Sequence, residues 1–187
     1  TLEIATFCPT GADVSGSSGV KPPGSCKLRL LSTHFDHVGS QARLNSARLI
    51  AEELASAEPT QLQLLCGDFN SPKVSNAVYS VLQDPTLGMK DAASSCHRST
   101  DMHPCTIHKF EGLDFSSDAG DGTVDLSVSS TTTRPDARHI DWILWRNGST
   151  ARLQPVDFRV ITDALPSGRY PSDHFPVSFE FQLVQGR

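Results

Sequence analysis

The segment YPSDHFPV, residues 170–177, places an adjacent carboxylate and imidazole, Asp173 and His174, directly before an apolar alternating stretch. Such a pair suits metal-assisted phosphate chemistry, although the dipeptide alone is a weak signal. Three earlier segments strengthen it: STHFDH at 32–37, GDFNSP at 67–72 and HIDWI at 139–143. In each, an acid, amide or imidazole lies at or just beyond the end of a strand-like stretch, where α/β sheets usually place their reacting groups. We therefore expect the four segments to meet in space.

The composition is that of a globular protein. With 187 residues, 37% of them hydrophobic and 20% charged, the chain is long enough to bury a core, and we expect residues 1–187 to form a single domain. The 21 acidic and 16 basic side chains give a net charge of −5, which opposes the long-range attraction to a polyanion. Nucleic acid is therefore a substrate that the charge does not favour.

The cysteines give indirect information about the compartment. Cys96 and Cys105 bracket a short polar loop, Cys8 and Cys26 flank a loop rich in Gly, Ser and Pro, and Cys66 lies in an apolar strand. Both pairs could close a disulfide, which would suit an oxidising compartment. A zinc site is the alternative, with candidate ligands Cys96, His97, His103, Cys105 and His108. A disulfide between Cys96 and Cys105 is favoured, because the spacing lacks the paired regularity of structural zinc sites.

Other signals of location leave the compartment open. No stretch approaches the ~20 apolar residues that span a bilayer, and no charged-then-apolar leader opens the chain. Asn147 begins a glycosylation sequon that follows a strand and is expected on a surface turn. Extracellular and intracellular locations are therefore about equally compatible with the sequence.

Hydrophobic periodicity predicts a layered α/β architecture. Buried strands are predicted at residues 27–33 and 62–66, with a helix between Ser40 and Pro59 whose apolar face excludes Arg43. Ser75 is the predicted N-cap of a second helix that ends at Asp84. Further strands are predicted at residues 106–110, 139–145, 156–161 and 177–184, the last alternating Val177, Phe179, Phe181 and Leu183 inward. Residues 8–26 and 114–138 are predicted to be flexible loops.

The GDFN segment supplies two candidate site residues. Gly67 permits a sharp exit from its strand, and the spacing of Asp68 and Asn70 lets both side chains converge on one side of an extended loop. The carboxylate could hold a hard cation or a water, and the amide could hold a phosphate oxygen. An Asx-turn after the strand explains both residues equally well and, for this segment alone, is the favoured interpretation.

Histidines near the other strand ends could move protons or contact phosphate. His34 ends its strand, and an imidazole that changes charge near pH 7 suits either task, although a buried structural histidine is the commoner case. Asp141 lies within an apolar strand, where an unpaired carboxylate would be costly, so it should have a partner. His174 is the predicted partner, with the acid fixing the tautomer of the imidazole.

Five ordered motifs between residues 27 and 184 resemble those of the endonuclease/exonuclease/phosphatase (DNase I-like) superfamily. They are THFDHVG with AR at 33–39 and 42–43, GDFNS at 67–71, TIHKF at 106–110, IDWI at 140–143 and SDH at 172–174. The closest branch carries the histidine-x-aspartate-histidine strand end and the threonine-x-histidine-x-phenylalanine strand. The resemblance implies a four-layer α/β/β/α sandwich of two sheets between helices, with a divalent cation, usually Mg²⁺ and alternatively Mn²⁺, in a cleft at the strand ends.

The resemblance also implies a role for each candidate residue in the in-line attack of water on a phosphodiester or phosphomonoester. His174, oriented by Asp141, would be the acid/base or phosphate-polarising group, and His34 a second phosphate contact. Asp68 would position the water and hold metal, and Asn70 would bind a phosphate oxygen. The remaining assignments are Asp173 as a metal ligand and Asp36, His37 and Arg43 as supports of the His34 loop.

One departure from the family pattern concerns the first part of the sandwich. Nothing before His34 resembles the metal-binding glutamate and the asparagine of the family's opening strands, and Glu3 is expected to be an ordinary strand residue. The chain therefore looks like the C-terminal part of the domain without its N-terminal strands, and an upstream segment is expected to complete the site. The competing functions are a non-catalytic secreted binding module and a nuclease specific for DNA or RNA.

Overall fold

A computed structural model describes residues 2–7, 27–73, 76–96, 105–114 and 138–185. The strands are β1 (Leu2–Phe7), β2 (Leu28–His34), β3 (Leu62–Asp68), β4 (Lys90–Asp91), β5 (Asp141–Arg146), β6 (Ala151–Val160) and β7 (Val177–Gln185). The α-helices are α1 (Ser40–Ala55), α2 (Ala77–Leu82) and α3 (Ala92–Ser95), and short 3₁₀ turns lie at Pro85–Leu87 and Gly112–Asp114. No helix within these ranges is long and apolar enough to cross a membrane.

Two sheets form the framework. The larger has five strands in the order β1-β2-β3-β5-β4, in which β2 and β3 are parallel and the other neighbours antiparallel. The smaller consists of the antiparallel pair β6 and β7, with a register shift between Pro155 and Asp157. The connection from β2 to parallel β3 runs through α1, as a parallel pair requires. The strand-helix-strand order predicted for residues 27–68 is confirmed.

The central sheet is covered on both faces, because its strands alternate apolar side chains to either side. Trp142 and Leu144 of β5 pack in a core with α1 and α2, whereas Ile143 and Trp145 pack in a second core with α3 and the β6–β7 sheet. Helices, a five-stranded sheet and a two-stranded sheet therefore form successive layers. This layering agrees with the predicted α/β sandwich.

Helix α1 shows where the predicted amphipathic face was inaccurate. Ala47, Ile50 and Leu54 are buried, and so is Arg43, which the hydrophobic periodicity predicts to lie off the apolar face. The long stem of an arginine can lie along apolar surface while its guanidinium finds acceptors, and here the head donates to the carbonyl of Asp36 at 3.2 Å. The helix ends at Ala55, four residues before Pro59.

Several other predictions about elements are wrong. The N-cap of α2 is Asn76, whose side chain accepts from the backbone of Val78, and not Ser75, which lies outside the described residues. Leu183 on β7 is 47% exposed rather than inward, although Val177, Phe179 and Phe181 do pack on the core. The loops predicted at 8–26 and 114–138 are a different case: all of the first and most of the second lie outside the described residues, and both stay predictions.

Residues 106–110 do not form the predicted strand. Ile107 makes a single antiparallel bridge with His174, and the chain then turns, with positive φ angles of 48° at Lys109 and 69° at Phe110. A left-handed conformation at two successive residues is incompatible with an extended strand. The segment is instead a tight turn fastened to residues 173–175.

The disulfide predicted between Cys96 and Cys105 is absent, since both are free thiols. Cys96 follows α3 and packs against the core beneath the β6–β7 sheet, where burial and the nearby charge of Asp157 raise the pKa of its thiol. The pKa of Cys105 is also raised by burial, and its charged neighbour is Arg138. The two thiols thus have different surroundings. Cys66 is a free thiol as well, and Cys8 and Cys26 lie outside the described residues.

Candidate active site

Three of the predicted site residues lie side by side where three neighbouring strands of the central sheet end or begin. The parallel register of β2 and β3 sets His34 opposite Asp68, and the antiparallel register of β3 and β5 sets Asp68 opposite Asp141. Asp68, the last residue of the central strand, therefore has a candidate residue on each side. This arrangement follows from strand pairing alone.

Gly67 makes the close approach of these strands at the site edge feasible. It adopts a φ of 149°, and a Cβ atom at this position would lie 1.9 Å from the carbonyl oxygen of Thr33. Any side chain would thus collide with the backbone of β2. The glycine before Asp68 is required by this contact as well as by the turn that follows.

His174 reaches the same edge from a different part of the chain. Its Nδ1 lies 2.9 Å from Oδ2 of Asp141, which confirms the predicted pairing of these two residues. Because a carboxylate only accepts, the Nδ1 atom carries the hydrogen. The other ring nitrogen, Nε2, lies 4.0 Å from Oδ2 of Asp68.

One carboxylate oxygen thus faces two imidazoles. Oδ2 of Asp68 is 3.3 Å from Nε2 of His34 and 4.0 Å from Nε2 of His174. The side chain of Asp68 is 17% exposed and that of His34 is 68% exposed, so the carboxylate forms the floor of the site and His34 its open rim. An anionic group entering here would meet both imidazoles.

Asn70 makes the predicted Asx-turn with Asp68. Its backbone N–H donates to Oδ1 of Asp68 at 2.8 Å, and its φ is 46°. Its side-chain amide donates to the carbonyl of Phe35 at 2.9 Å and lies 3.4 Å from Oδ2 of Asp68. The turn therefore exists, and it also brings the amide beside the carboxylate and ties β3 to the His34 loop.

The loop after His34 is held by two of the three predicted supporting residues. Oδ1 of Asp36 accepts from the backbone N–H of Val38 at 2.8 Å and from that of Gly39, and these bonds lower the pKa of the Asp36 carboxyl. Arg43 donates to the Asp36 carbonyl from α1. The third predicted support, His37, is exposed on the same loop.

Burial and pairing shift the two central groups. Desolvation raises the pKa of Asp68, with the charge of Asp141 acting in the same direction against the bond from Asn70 and the two imidazoles. The pKa of His174 is raised, chiefly by its hydrogen bond to Asp141 and against its own desolvation. The site thus favours a cationic His174 and a carboxylate at Asp68 that accepts a proton more readily than usual.

The same group fits a divalent cation. Among the described residues, one set of acidic and imidazole ligand atoms lies within 4.8 Å of one another, and it consists of Asp68, Asp141 and His174. Two carboxylates suit Mg²⁺, and the added imidazole is compatible with Mn²⁺. Asp173, the other predicted metal ligand, is not a member of this set, although its charge contributes to the raised pKa of His174.

Two residues to which the sequence analysis gave no role in phosphate chemistry lie against the site, although His108 was a candidate zinc ligand. Thr106 is fully buried, and its hydroxyl accepts from the backbone of Ile140 and Asp141 at 3.0 and 3.1 Å. His108 is also fully buried and stacks on Phe175 with ring centroids 3.9 Å apart. Their only signal in the sequence is the threonine-x-histidine-x-phenylalanine pattern, which shows no chemistry without the partners that the fold supplies.

With this fold and site in view, the class of protein is clear. The sequence model of the endonuclease/exonuclease/phosphatase family matches residues 4–174. The chain therefore belongs to that family, and the predicted DNase I-like sandwich is confirmed. No curated protein matches the sequence significantly.

Solved structures share the fold at low sequence identity. An endonuclease/exonuclease/phosphatase family protein from Bacteroides thetaiotaomicron is 22% identical, with a TM-score of 0.59 over 87% of this chain and 52% of that one. The mannosyl-6-phosphatase of the same organism is 23% identical, with a TM-score of 0.54 over 84% and 51%. TDP2 of D. rerio, in complex with a single-stranded DNA product, is 19% identical, with a TM-score of 0.60 over 85% and 58%. The chain thus spans little more than half the length of these proteins.

Proposed function

We propose that this protein is a divalent-metal-dependent phosphoesterase that hydrolyses a phosphodiester or phosphomonoester by in-line attack of water. The observation that carries the proposal is the position of Oδ2 of Asp68 between the Nε2 atoms of His34 and His174, at 3.3 and 4.0 Å. A carboxylate between two imidazoles at the strand ends offers a base for water and hydrogen-bond donors for a phosphoryl group. Family membership supports the same chemistry.

Each residue has a distinct task in this proposal. Asp68 orients the attacking water and accepts its proton, for which its raised pKa is suited. His174, held by Asp141 in the tautomer with hydrogen on Nδ1, directs Nε2 at a phosphoryl oxygen and favours the cationic form. His34 makes a second phosphate contact from the rim, and the amide of Asn70 donates to a phosphate oxygen in place of its longer bond, of 3.4 Å, to Asp68.

A bound cation would neutralise charge that develops on the phosphoryl oxygens. Asp68 and Asp141 would hold it, with Asp173 close by, and Mg²⁺ is the proposed ion with Mn²⁺ as an alternative. Asp36 and Arg43 support the loop that carries His34, on which His37 is exposed. The contribution of the protein itself is to fix these groups at the edge of a rigid sheet.

A small or monomeric phosphoester is the favoured substrate. The net charge of −5 opposes the accumulation of a long polyanion at the surface. The specific nuclease is the second candidate, and it is favoured only by the likeness to TDP2, whose structure contains a DNA product. A non-catalytic binding module is disfavoured because it would not require two imidazoles and two carboxylates to converge.

Hydrolysis of three substrates tests the proposal and separates the candidates. Bis-p-nitrophenyl phosphate, p-nitrophenyl phosphate and plasmid DNA are compared with Mg²⁺, Mn²⁺ and a chelator, for the complete protein and for its His174→Ala variant. Cation-dependent hydrolysis of either small ester, reduced about 100-fold or more in the variant, is expected. Cleavage of DNA alone would favour the nuclease, and hydrolysis that His174→Ala leaves unchanged would place the reaction elsewhere.

A further inference from the structure

Thr106 holds the backbone from which the Asp141 carboxylate projects. Its side chain is fully buried, and its hydroxyl oxygen accepts from the N–H groups of Ile140 at 3.0 Å and Asp141 at 3.1 Å. Ile140 directly precedes β5, and Asp141 is its first residue. The Thr106 hydroxyl accepts from both N–H groups. These bonds fix the backbone of Asp141 and therefore the direction in which its side chain projects.

The backbone of the same residue holds the segment that carries His174. The N–H of Phe175 donates to the carbonyl of Thr106 at 2.7 Å, and Ile107 forms an antiparallel bridge with His174. One residue further on, the N–H of His108 donates to the carbonyl of Asp173 at 2.8 Å. Residues 106–108 therefore bind the chain on both sides of His174.

The buried ring of His108 packs residues 106–108 firmly against the segment that follows His174. Its Nδ1 accepts from the backbone N–H of Gly112 at 3.1 Å, so the neutral ring carries its hydrogen on Nε2. Burial lowers the pKa of His108, which keeps the ring uncharged, and it stacks on Phe175 with the Tyr170 ring at its edge. The uncharged His108 ring, stacked on Phe175, therefore restricts the segment that follows His174.

We propose that Thr106 is a positioning residue that sets the distance between Asp141 and His174. It is the residue to which both partners are fastened, Asp141 through the hydroxyl and the His174 segment through the carbonyl. The bond of 2.9 Å between Oδ2 and Nδ1 is sensitive to small shifts, because hydrogen bonds weaken steeply beyond ~3.5 Å. The importance of this distance for catalysis rests on the proposed function, whereas the role of Thr106 in setting the distance does not.

Three variants distinguish the effect of losing the Thr106 hydroxyl from the effect of a general loss of stability. Thr106→Val keeps the shape and removes the hydroxyl, and Thr106→Ser keeps the hydroxyl. The matched control is Ser95→Ala, because the Ser95 hydroxyl also both accepts and donates. It accepts from Nε1 of Trp145 at 3.0 Å and donates to the carbonyl of Asp91 at 2.6 Å, as the Thr106 hydroxyl donates to the carbonyl of Arg138 at 3.4 Å. Ser95 lies on α3, whose contacts are with β4, β5 and β6.

The readout is the downfield proton NMR signal of the His174 Nδ1–H bonded to Asp141, together with amide exchange at Asp141. The signal is expected in the wild type, Thr106→Ser and Ser95→Ala, and its loss is expected in Thr106→Val, with exchange of the Asp141 amide about tenfold faster. A signal that persists in folded Thr106→Val, or that Ser95→Ala also abolishes, would overturn the proposal. So would its absence from the wild type.

If Thr106→Val does not fold, the wild type and Thr106→Ser decide the question. The amides of Ile140 and Asp141 must then be protected from exchange in both proteins, and rapid exchange in either would overturn the proposal. None of these measurements needs a substrate. A wild type that hydrolyses no phosphoester would therefore contradict the proposed function, but the NMR and exchange results would still test the role of Thr106.

Discussion

Oδ2 of Asp141 lies 2.9 Å from Nδ1 of His174, although 33 residues separate the two in sequence. The bond directs Nε2 of the imidazole towards Asp68 and raises the pKa of His174. It joins the central sheet to the loop before β7, and the chemistry proposed for the site depends on it.

Asp141→Asn is expected to reduce hydrolysis about 100-fold or more, because the amide no longer fixes the tautomer of His174 or favours its cation. The measurement is the initial rate with bis-p-nitrophenyl phosphate and Mg²⁺. Asp157→Asn is the matched control, since Asp157 pairs with Arg159 at 2.8 Å on β6. Equal losses in the two variants would show that a general change of charge is responsible.

The stability that His174 contributes is expected to depend on pH. Its pKa is higher in the folded protein than the ordinary value of about 6.5, so the folded state binds the proton more tightly than the unfolded chain does. The contribution is fully present below the unfolded pKa and is lost as the pH rises through the folded pKa. Urea unfolding of the wild type and His174→Gln from about pH 5 to pH 9 measures it.

The difference in unfolding free energy between these two proteins should therefore shrink with rising pH. Asp141→Asn in both backgrounds is the control, because removal of the main cause of the raised pKa should flatten the dependence. A difference that grows with pH would mean that His174 is held as the neutral imidazole.

Gly67→Ala is expected to destabilise the fold by at least about 3 kcal/mol, because its Cβ would lie 1.9 Å from the carbonyl oxygen of Thr33. Gly168→Ala is the matched control. Gly168 also has a positive φ, of 75°, but its Cβ would meet nothing within 4 Å, so a cost of about 1 kcal/mol is expected. Similar costs in urea unfolding would mean that backbone conformation, rather than the approach of β2, makes Gly67 necessary.

A buried polar cluster supports β4 and should respond unequally to two substitutions. Oδ2 of Asp91 accepts from the hydroxyl of Tyr79 at 2.8 Å and lies 2.7 Å from Nζ of Lys73. Tyr79→Phe should cost about 1 kcal/mol, whereas Asp91→Ala should cost about 3–5 kcal/mol because it removes the buried carboxylate from both the ion pair with Lys73 and the bond to Tyr79. Equal costs in urea unfolding would show that the ion pair adds nothing beyond a neutral hydrogen bond.

The sequence predicted the parts of the site that strand pairing determines. Asp68 and Asp141 end up together because each follows from the register of a strand whose hydrophobic pattern is clear. The pairing of Asp141 with His174 could be predicted because a carboxylate inside an apolar strand needs a partner. These inferences used only local patterns and the cost of burial.

The parts that failed depend on partners distant in sequence. The segment after Thr106 looks like a strand, but its hydrogen-bonding partners are residues 173–175, and the turn at Lys109 and Phe110 has no Gly or Asn to announce it. The burial of Arg43 depends on the Asp36 carbonyl. Cys96 and Cys105 stay free thiols because each packs in a different environment. Local periodicity contains no information about such contacts.

The central claim is that His34 and His174 face one phosphoryl group, and a titration with inorganic phosphate at constant Mg²⁺ tests it most directly. The ring signals of the histidines are followed by NMR, with exposed His37 as the internal control. We predict that the signals of His34 and His174 shift together with one apparent Kd while His37 stays unchanged. Shifts of His34 and His174 with different Kd values, or none at either residue, would contradict the claim.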